Sequence, residues 1–239
     1  MSMNTIPPLI LGFLKKELRL ITQDLPDSIR TMKTPPGIVP DITVENNLFS
    51  APGLKKISFI RQTRSSGVDV TEVLLVPADN YDLPYVTIIT GFTSPDAGKL
   101  LVKFEAKPVV RDEISQERYI KPFLSWRREM HKLPSEPVAR TMQAGETMQK
   151  HMSPLNYLRY VPSDKEHSVS SLTDEFLSIY LTVYRTAVPV SDTSRIRLMQ
   201  EFREEYNRQL LDEGVSLRVL IEAFGEERVK RMFRYLVEA

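Results

Sequence analysis

The amino-acid sequence predicts an α+β fold in which helices are layered on an antiparallel sheet. Three observations support this fold class. The middle of the chain carries four short runs rich in β-branched residues, the spacers between these runs are too short to hold crossover helices, and the last third has helical periodicity. A length of 239 residues is ample for one domain with its own core, so we expect a single domain over residues 1–239.

The first 52 residues are expected to form a helix followed by a proline-rich lead-in. Within residues 8–23, leucine and isoleucine recur at three- and four-residue steps, a spacing typical of an amphipathic helix. Residues 24–52 contain five prolines. Proline lacks an N–H donor and restricts the residue before it, so this part is predicted to be extended, without regular structure.

The four β-rich runs are predicted to form consecutive strands of an antiparallel meander. They cover residues 57–63, 68–76, 85–92 and 99–105. Glycine, proline, serine and aspartate are frequent in the spacers between them, which favours turns. A further strand at 155–161 is isolated in the sequence, and we expect it to join the same sheet.

The remaining segments have helical character. Asp192 is a candidate N-cap because its short side chain can accept a hydrogen bond from the first turn of a helix. Gly214 is predicted to end that helix. The predicted helices cover residues 114–130, 171–187, 192–211 and 215–237, with a break near Gly225.

Composition excludes several classes of function. Lys and Arg number 32 and Asp and Glu 31, a balance unlike that of a nucleic-acid-binding domain. Without cysteine the chain cannot hold a disulfide, a thiolate zinc site or its own iron–sulfur cluster. The three histidines are far apart, and the glycines form no phosphate-binding motif. The N-terminal apolar run is far shorter than the ~20 residues of a membrane span, so neither a nucleic acid nor a membrane is expected as a partner.

Several segments carry a resemblance to one family. The most specific is the tetrapeptide Tyr81-Asp82-Leu83-Pro84 between the second and third predicted strands. With the other landmarks in matching order, it resembles the ferredoxin-dependent bilin reductases over residues 50–239. The other landmarks are Leu54-Lys55-Lys56, Val76-Pro77, Phe104 to Asp112, Met152-Ser153-Pro154 with Leu158, Phe176 to Tyr184, Arg218-Val219-Leu220 and Ala223-Phe224-Gly225-Glu226.

This resemblance implies an α/β/α sandwich that holds a linear tetrapyrrole between the sheet and the C-terminal helices. It implies an oxidoreductase without bound flavin, nicotinamide or metal. Ferredoxin would supply electrons singly, and the protein would protonate the radical of a biliverdin or dihydrobiliverdin substrate. A monomer is expected, in the cytoplasm of a cyanobacterium or phage-infected host or in the plastid stroma.

The chain departs from the family pattern at two acidic positions. The central aspartate of the family falls on Ile89, and a helix-borne aspartate falls on Gly214. Glu72 stands where the family has histidine or asparagine. Strand alternation places Glu72 near Ile89, and a carboxylate facing an apolar pocket has a raised pKa. Glu72 is therefore the predicted catalytic acid; the alternatives are a solvated strand residue and a ligand for a pyrrole N–H in a non-catalytic site.

Further residues are predicted to bind the bilin or to dock ferredoxin. Arg159 and Arg218 are candidates for the propionates because guanidinium groups pair with carboxylates in bidentate geometry, although each can equally be a solvated surface arginine. Thr87, Ile89, Ser153 and Gly214 complete the predicted bilin contacts. Six basic side chains are predicted to attract an acidic ferredoxin, and the alternative is that they are scattered surface charges. They are Lys99, Lys103, Lys107, Arg111, Arg127 and Arg128.

Two functions from different classes follow. The first is ferredoxin-dependent reduction of a linear tetrapyrrole, which the carboxylate at Glu72 favours. The second is a non-catalytic bilin-binding or protein-interaction role on the same fold, which the residues at the two acidic positions favour. A relative of red chlorophyll catabolite reductase is a third possibility with the same fold.

Overall fold

An antiparallel sheet with helices on both faces organises the protein. The structure is a computed structural model, and it describes residues 5–37, 41–93, 98–138, 153–213 and 215–237, with the backbone alone at 212, 213, 215 and 216. Within these residues the sheet has nine strands, all paired antiparallel. The predicted α+β class, with a central antiparallel sheet flanked by helices, is confirmed.

The sheet is built around the predicted meander. The strands lie in the order β1-β3-β4-β5-β6-β7-β9-β8, and β2 also pairs with β3. The isolated strand β9 joins the sheet beside β7, as expected. The strands are β1 (Ile21–Thr22), β2 (Thr31–Lys33), β3 (Ile42–Ala51), β4 (Leu54–Arg64), β5 (Asp69–Pro77), β6 (Tyr85–Phe92), β7 (Lys99–Lys107), β8 (Glu136–Pro137) and β9 (Tyr157–Pro162).

The helices agree with the predicted segments and add short ones. Asp192 accepts a hydrogen bond from the Arg195 N–H at 3.0 Å, which confirms the predicted N-cap. Gly225 has φ +83°, a conformation that favours glycine, and it separates the last two helices. The helices are α1 (Ile6–Glu17), α2 (Asp27–Arg30), α3 (Glu113–Ser115), α4 (Leu124–Met130), α5 (Glu166–Arg185), α6 (Thr193–Glu213), α7 (Val215–Phe224) and α8 (Glu226–Leu236), with a π-turn at Gln116–Ile120 between α3 and α4.

Part of the proline-rich lead-in is regular, so the prediction of an irregular segment over 24–52 was wrong. The ten-residue strand β3 lies between Pro40 and Pro52. The prolines flank this strand and do not interrupt it, so each residue of β3 keeps its N–H donor. Helix α1 ends earlier than predicted because Leu18 is already extended, and the chain then enters β1.

The first face of the sheet carries the larger core, under α1, α4 and α5. At its centre four fully buried aromatic rings, with centroids 4.8–5.3 Å apart in the contacting pairs, join the sheet to both helical segments. They are Phe104, Phe123, Trp126 and Phe176. This face is occupied by core side chains, so it leaves the second face as the place for a site.

Helix α1 is attached to α5 at both of its ends. The backbone N–H and the hydroxyl of Thr5 both donate to Glu166 Oε1 at 2.8 Å. At the other end, Arg185 donates to Glu17 at 2.6 Å. These contacts join the beginning of the described chain to a helix more than 160 residues later.

The second face is covered by α6, α7 and α8 through two smaller clusters. In one cluster Leu74 of β5 packs with Leu220 and Phe233 of the C-terminal helices. In the other, Tyr85 of β6 packs with Tyr206 of α6. The centre of the sheet lies between these clusters and is less completely covered.

Candidate active site on the second sheet face

A row of half-buried side chains crosses five neighbouring strands of the second face. The strand register aligns Ile60, Glu72, Ile89, Lys103 and Leu158. All five are half-buried. With neighbouring strands ~4.8 Å apart, the row is ~19 Å long. The row is mostly apolar with one carboxyl and one ammonium group, and we call the half-buried strip above it the candidate cleft.

Glu72 is the carboxyl group of this row. It pairs directly with Ile89, as strand alternation predicts. Within the described residues it has no hydrogen bond or ion pair. Burial raises the pKa of Glu72 above its ordinary value, and the positive charge of Lys103 opposes that rise. A carboxyl group of this kind holds its proton at a higher pH than a solvated glutamate and is suited to act as a general acid.

Lys103 is held in place by a buried carboxylate on its own strand. Its ammonium lies 3.2 Å from Glu105 Oε2, and the other carboxylate oxygen accepts a hydrogen bond from the Ser153 N–H at 3.1 Å. Burial alone would raise the pKa of Glu105, but Lys103, Lys107 and the Ser153 N–H together lower it. Glu105 is therefore an ionised group that fixes the position of Lys103.

Lys107 and Tyr206 close the inner end of this cluster. The Lys107 ammonium lies 3.6 Å from Glu105 Oε1 and 3.9 Å from the centre of the Tyr206 ring. Burial lowers the pKa of Lys107 to about 8, although the attraction of Glu105 opposes that shift. Burial also raises the pKa of Tyr206, against a hydrogen bond with Thr87 that lowers it. The cluster thus combines two ammonium groups with one ionised carboxylate beneath the cleft.

The structure brings four of the predicted site residues together. Glu72, Thr87 and Ile89 share the second face of β5 and β6. Ser153 lies beside them through its hydrogen bond to Glu105. No role was predicted for Glu105. The charged residues Lys103, Glu105 and Lys107 at alternate positions of an otherwise apolar strand are nevertheless a detectable signal.

Three other predicted bilin contacts are not part of this group. Arg159 pairs with Val102, whose side chain belongs to the core of the first face, so Arg159 points away from the Glu72 face. Its neighbour Tyr160 is on the Glu72 face. Arg218 is exposed on α7. Gly214 lies outside the described residues, as does Met152.

The predicted docking surface was wrong at two of its lysines. Lys103 and Lys107 turn into the site, with 15% and 2% of their side chains exposed. The reason is that β7 lies between β6 and β9 and is not an edge strand. The Lys99 side chain is 41% exposed and forms an ion pair with Glu136 at 2.6 Å. The other three, Arg111, Arg127 and Arg128, lie at least partly exposed on and before the outer helical segments.

The tetrapeptide Tyr81-Asp82-Leu83-Pro84 anchors helix α6. Asp82 is buried and accepts hydrogen bonds from Arg195 Nε and Nη2 at 3.1 and 2.9 Å, and from the Tyr119 hydroxyl. Arg195 also donates to Asp112 at 2.7 Å. Arg203, about two turns further along α6, donates to the backbone oxygens of 78, 79 and 81. These contacts position Tyr206 over the site.

A surface groove of 1190 Å³ lies elsewhere, along the outer segment of residues 111–124. Its charged lining is largely engaged within the protein, since Asp112 pairs with Arg195 and Lys121 with Glu117. The groove contains no buried titratable cluster comparable to that around Glu105. We therefore place the candidate site on the second sheet face.

Substitution of Glu72 should change how stability depends on pH. A raised pKa in the folded state means that the folded protein keeps this proton while the unfolded chain, with a pKa near 4.5, loses it. The contribution of Glu72 is therefore fully present below that pH and is lost as pH rises through the raised pKa. Relative to the wild type, Glu72→Gln should gain stability as pH increases, which urea unfolding at several pH values measures. An equal difference in the free energy of unfolding at every pH would contradict the raised pKa.

The sequence of this chain is similar to those of known proteins. The family model described as ferredoxin-dependent bilin reductase matches residues 13–236. The 15,16-dihydrobiliverdin:ferredoxin oxidoreductase of Gloeobacter violaceus is 22% identical over 201 residues, covering 82% of this chain and 79% of that protein. The protein of the same description from Nostoc punctiforme is 22% identical over 228 residues, covering 92% of this chain and 90% of its own.

A solved structure shows the same fold. Phytochromobilin synthase from tomato, in complex with biliverdin, superposes with a TM-score of 0.80 at 16% identity, covering 99% of this chain and 83% of that chain. In the part of this chain that the structure describes, no helix is long and apolar enough to cross a membrane. The same residues contain no group of three potential metal-binding side chains of the His, Cys, Asp or Glu type.

Proposed function

The chain belongs to the ferredoxin-dependent bilin reductase family, and on that premise we propose that it reduces biliverdin or a dihydrobiliverdin with single electrons from a ferredoxin. The observation that supports this most directly is the half-buried row of side chains across the second sheet face, to which β5 contributes Glu72. Its length of ~19 Å suits an extended ligand of four pyrrole rings. The two relatives named above act, by their descriptions, on 15,16-dihydrobiliverdin.

In the proposed reaction the bilin lies between the second sheet face and the helices α6, α7 and α8. Glu72 supplies a proton as electrons arrive, which its burial supports. Ile89 and Thr87 contact the bilin from the floor, and Ser153 contributes through Glu105. Arg218 remains a candidate for a propionate at the exposed end, whereas the orientation of Arg159 speaks against that role.

The proposed enzyme needs no permanently bound cofactor, because ferredoxin brings each electron and the bilin accepts it. We propose that residues 1–239 act as one domain and as a monomer, with residues 1–52 as its N-terminal lead-in. A cytoplasmic or stromal location would place the enzyme beside a ferredoxin pool. The basic residues Lys99, Arg111 and Arg128, each at least partly exposed, remain candidates for contact with that acidic partner.

A second candidate function is bilin binding without reduction. The observation that favours it is the apolar side chain of Ile89, which occupies the middle of the row where the family places an acid. A protein with this floor could hold the tetrapyrrole and lack the proton transfer. Glu72 would then accept a hydrogen bond from a pyrrole N–H instead of donating a proton.

Titration with biliverdin tests both candidates. We expect binding at micromolar or better affinity, with a shift and sharpening of the long-wavelength absorbance band, followed by loss of that band when a ferredoxin-reducing system is added. A shifted band that survives reduction would support the non-catalytic role. Absence of any spectral change at high protein excess would overturn both candidates.

A further inference from the structure

The cluster of Lys103, Glu105 and Lys107 contains a charged group that has no role in the proposed reaction as described above. Lys103 stands in the same row as Glu72, one strand beyond Ile89, so its side chain borders the same strip of the cleft. It retains 15% exposure of its side chain, whereas Glu105 and Lys107 beside it retain 3% and 2%. Lys103 is therefore the part of the cluster that reaches the cleft.

The geometry leaves Lys103 with protons to give. An ammonium group has three N–H donors. One contact, with Glu105 Oε2 at 3.2 Å, is accounted for within the described residues. Glu105 is itself held by Lys107 and by the Ser153 N–H, so its carboxylate has a fixed position beside Lys103. Lys103 is thus tethered at one N–H, and its other N–H donors have no partner among the described residues.

The charges around Lys103 favour a bound ligand that carries negative charge. The charged and titratable groups beside Lys103 and its partner Glu105 are Lys107 on the same strand, Glu72 on β5 and Tyr206 on α6. Two lysines face one ionised carboxylate, while Glu72 and Tyr206 are biased by burial toward their neutral forms. The cluster therefore carries an excess of positive charge that stabilises added negative charge above it.

We propose that Lys103 is a second proton donor of the site, acting on the tetrapyrrole after it has accepted an electron. This inference rests on the proposed function. One electron from reduced ferredoxin converts the bilin to a radical anion. An N–H bond of the Lys103 ammonium then breaks, its proton forms a new bond to the bilin, and a neutral amine remains beside Glu105. The partly exposed amine recovers a proton from solvent before the next electron arrives.

Two substitutions separate the proton from the charge of Lys103. Lys103→Arg keeps a positive charge and the ion pair with Glu105, but a guanidinium does not release its proton in proteins. We expect its biliverdin affinity to stay within about threefold of the wild type, its turnover to fall about 10²-fold or more, and a bilin radical to accumulate in electron paramagnetic resonance spectra. Lys103→Met should weaken both binding and turnover. The matched control Lys132→Met, at an exposed lysine paired with Glu129, should change neither.

The behaviour of the wild type distinguishes failure of the donor role from failure of the proposed function. A wild type that reduces biliverdin while Lys103→Arg turns over within threefold of it would overturn the donor role and leave the proposed function standing. A wild type that binds no bilin, or binds it without reduction, would contradict the proposed reductase and the donor role with it. Circular dichroism and thermal unfolding of each variant identify any loss of activity that comes from misfolding, and a folded Lys103→Arg gives the deciding result.

Discussion

Glu72→Gln should lower bilin turnover by about 10²–10⁴-fold and leave bilin binding nearly unchanged. Glutamine keeps the shape and most of the hydrogen-bonding capacity of a protonated glutamate but has no transferable proton. The raised pKa of Glu72 lets the wild-type side chain keep its proton to a higher pH than a solvated glutamate does. Turnover with a ferredoxin-reducing system, measured beside a biliverdin titration, separates the two effects.

The matched control for this substitution is Glu45→Gln, because Glu45 is exposed on β3 and paired with Arg61. Turnover should be unaffected there. A wild-type rate in Glu72→Gln would remove Glu72 from the reaction. A complementary substitution is Ile89→Asp, which adds a carboxyl group beside Glu72 in the row. If the wild type is inert and Ile89→Asp reduces bilin, the natural protein is a binder on a reductase fold.

Asp82→Ala should destabilise the fold by about 3 kcal/mol, since it removes one partner of a buried ion pair. Asp82 is 4% exposed, and its loss would leave Arg195 and the Tyr119 hydroxyl without their shared acceptor. For a chain of this length the melting temperature should fall by about 6–12 °C.

The control for Asp82→Ala is Asp27→Ala, at an aspartate whose side chain is 95% exposed and whose ion pair with Arg30 is on the surface. That variant should change the free energy of unfolding by less than about 0.5 kcal/mol. Equal melting temperatures for the two variants would show that the tetrapeptide loop does not anchor α6. Weakened bilin binding in Asp82→Ala at a temperature where it is folded would reflect displacement of Tyr206.

The meander was predictable because its signals are local. Tyr85–Phe92 has the predicted bounds, and β5 and β7 differ from prediction by one or two residues. The strand β3 was not predicted because residues 24–52 are rich in proline. These prolines flank the strand, and none lies within it. The apolar alternation of Ile42, Val44 and Leu48 was present in the sequence.

The candidate site was predictable where strand alternation decides orientation, and less so elsewhere. The pairing of Glu72 with Ile89 needed only the order of two consecutive strands. Arg159 required the register of β9 against β7, which are more than 50 residues apart, and a shift of one residue reverses the face. The role of Glu105 depends on the Ser153 N–H and on Lys107, and such a contact set exists only after folding.

The attachment of α1 to α5 has a consequence for the order in which the chain is assembled. A ribosome adds about 5–20 residues per second, so the partner of Thr5, 161 residues later, is made roughly 8–32 s after it. During that interval Ile6, Ile10 and Leu14 have no finished core to enter. Helix α1 therefore completes its contacts with α5 only after that interval, and nascent chains halted before α5 should depend more on chaperones than chains that include it.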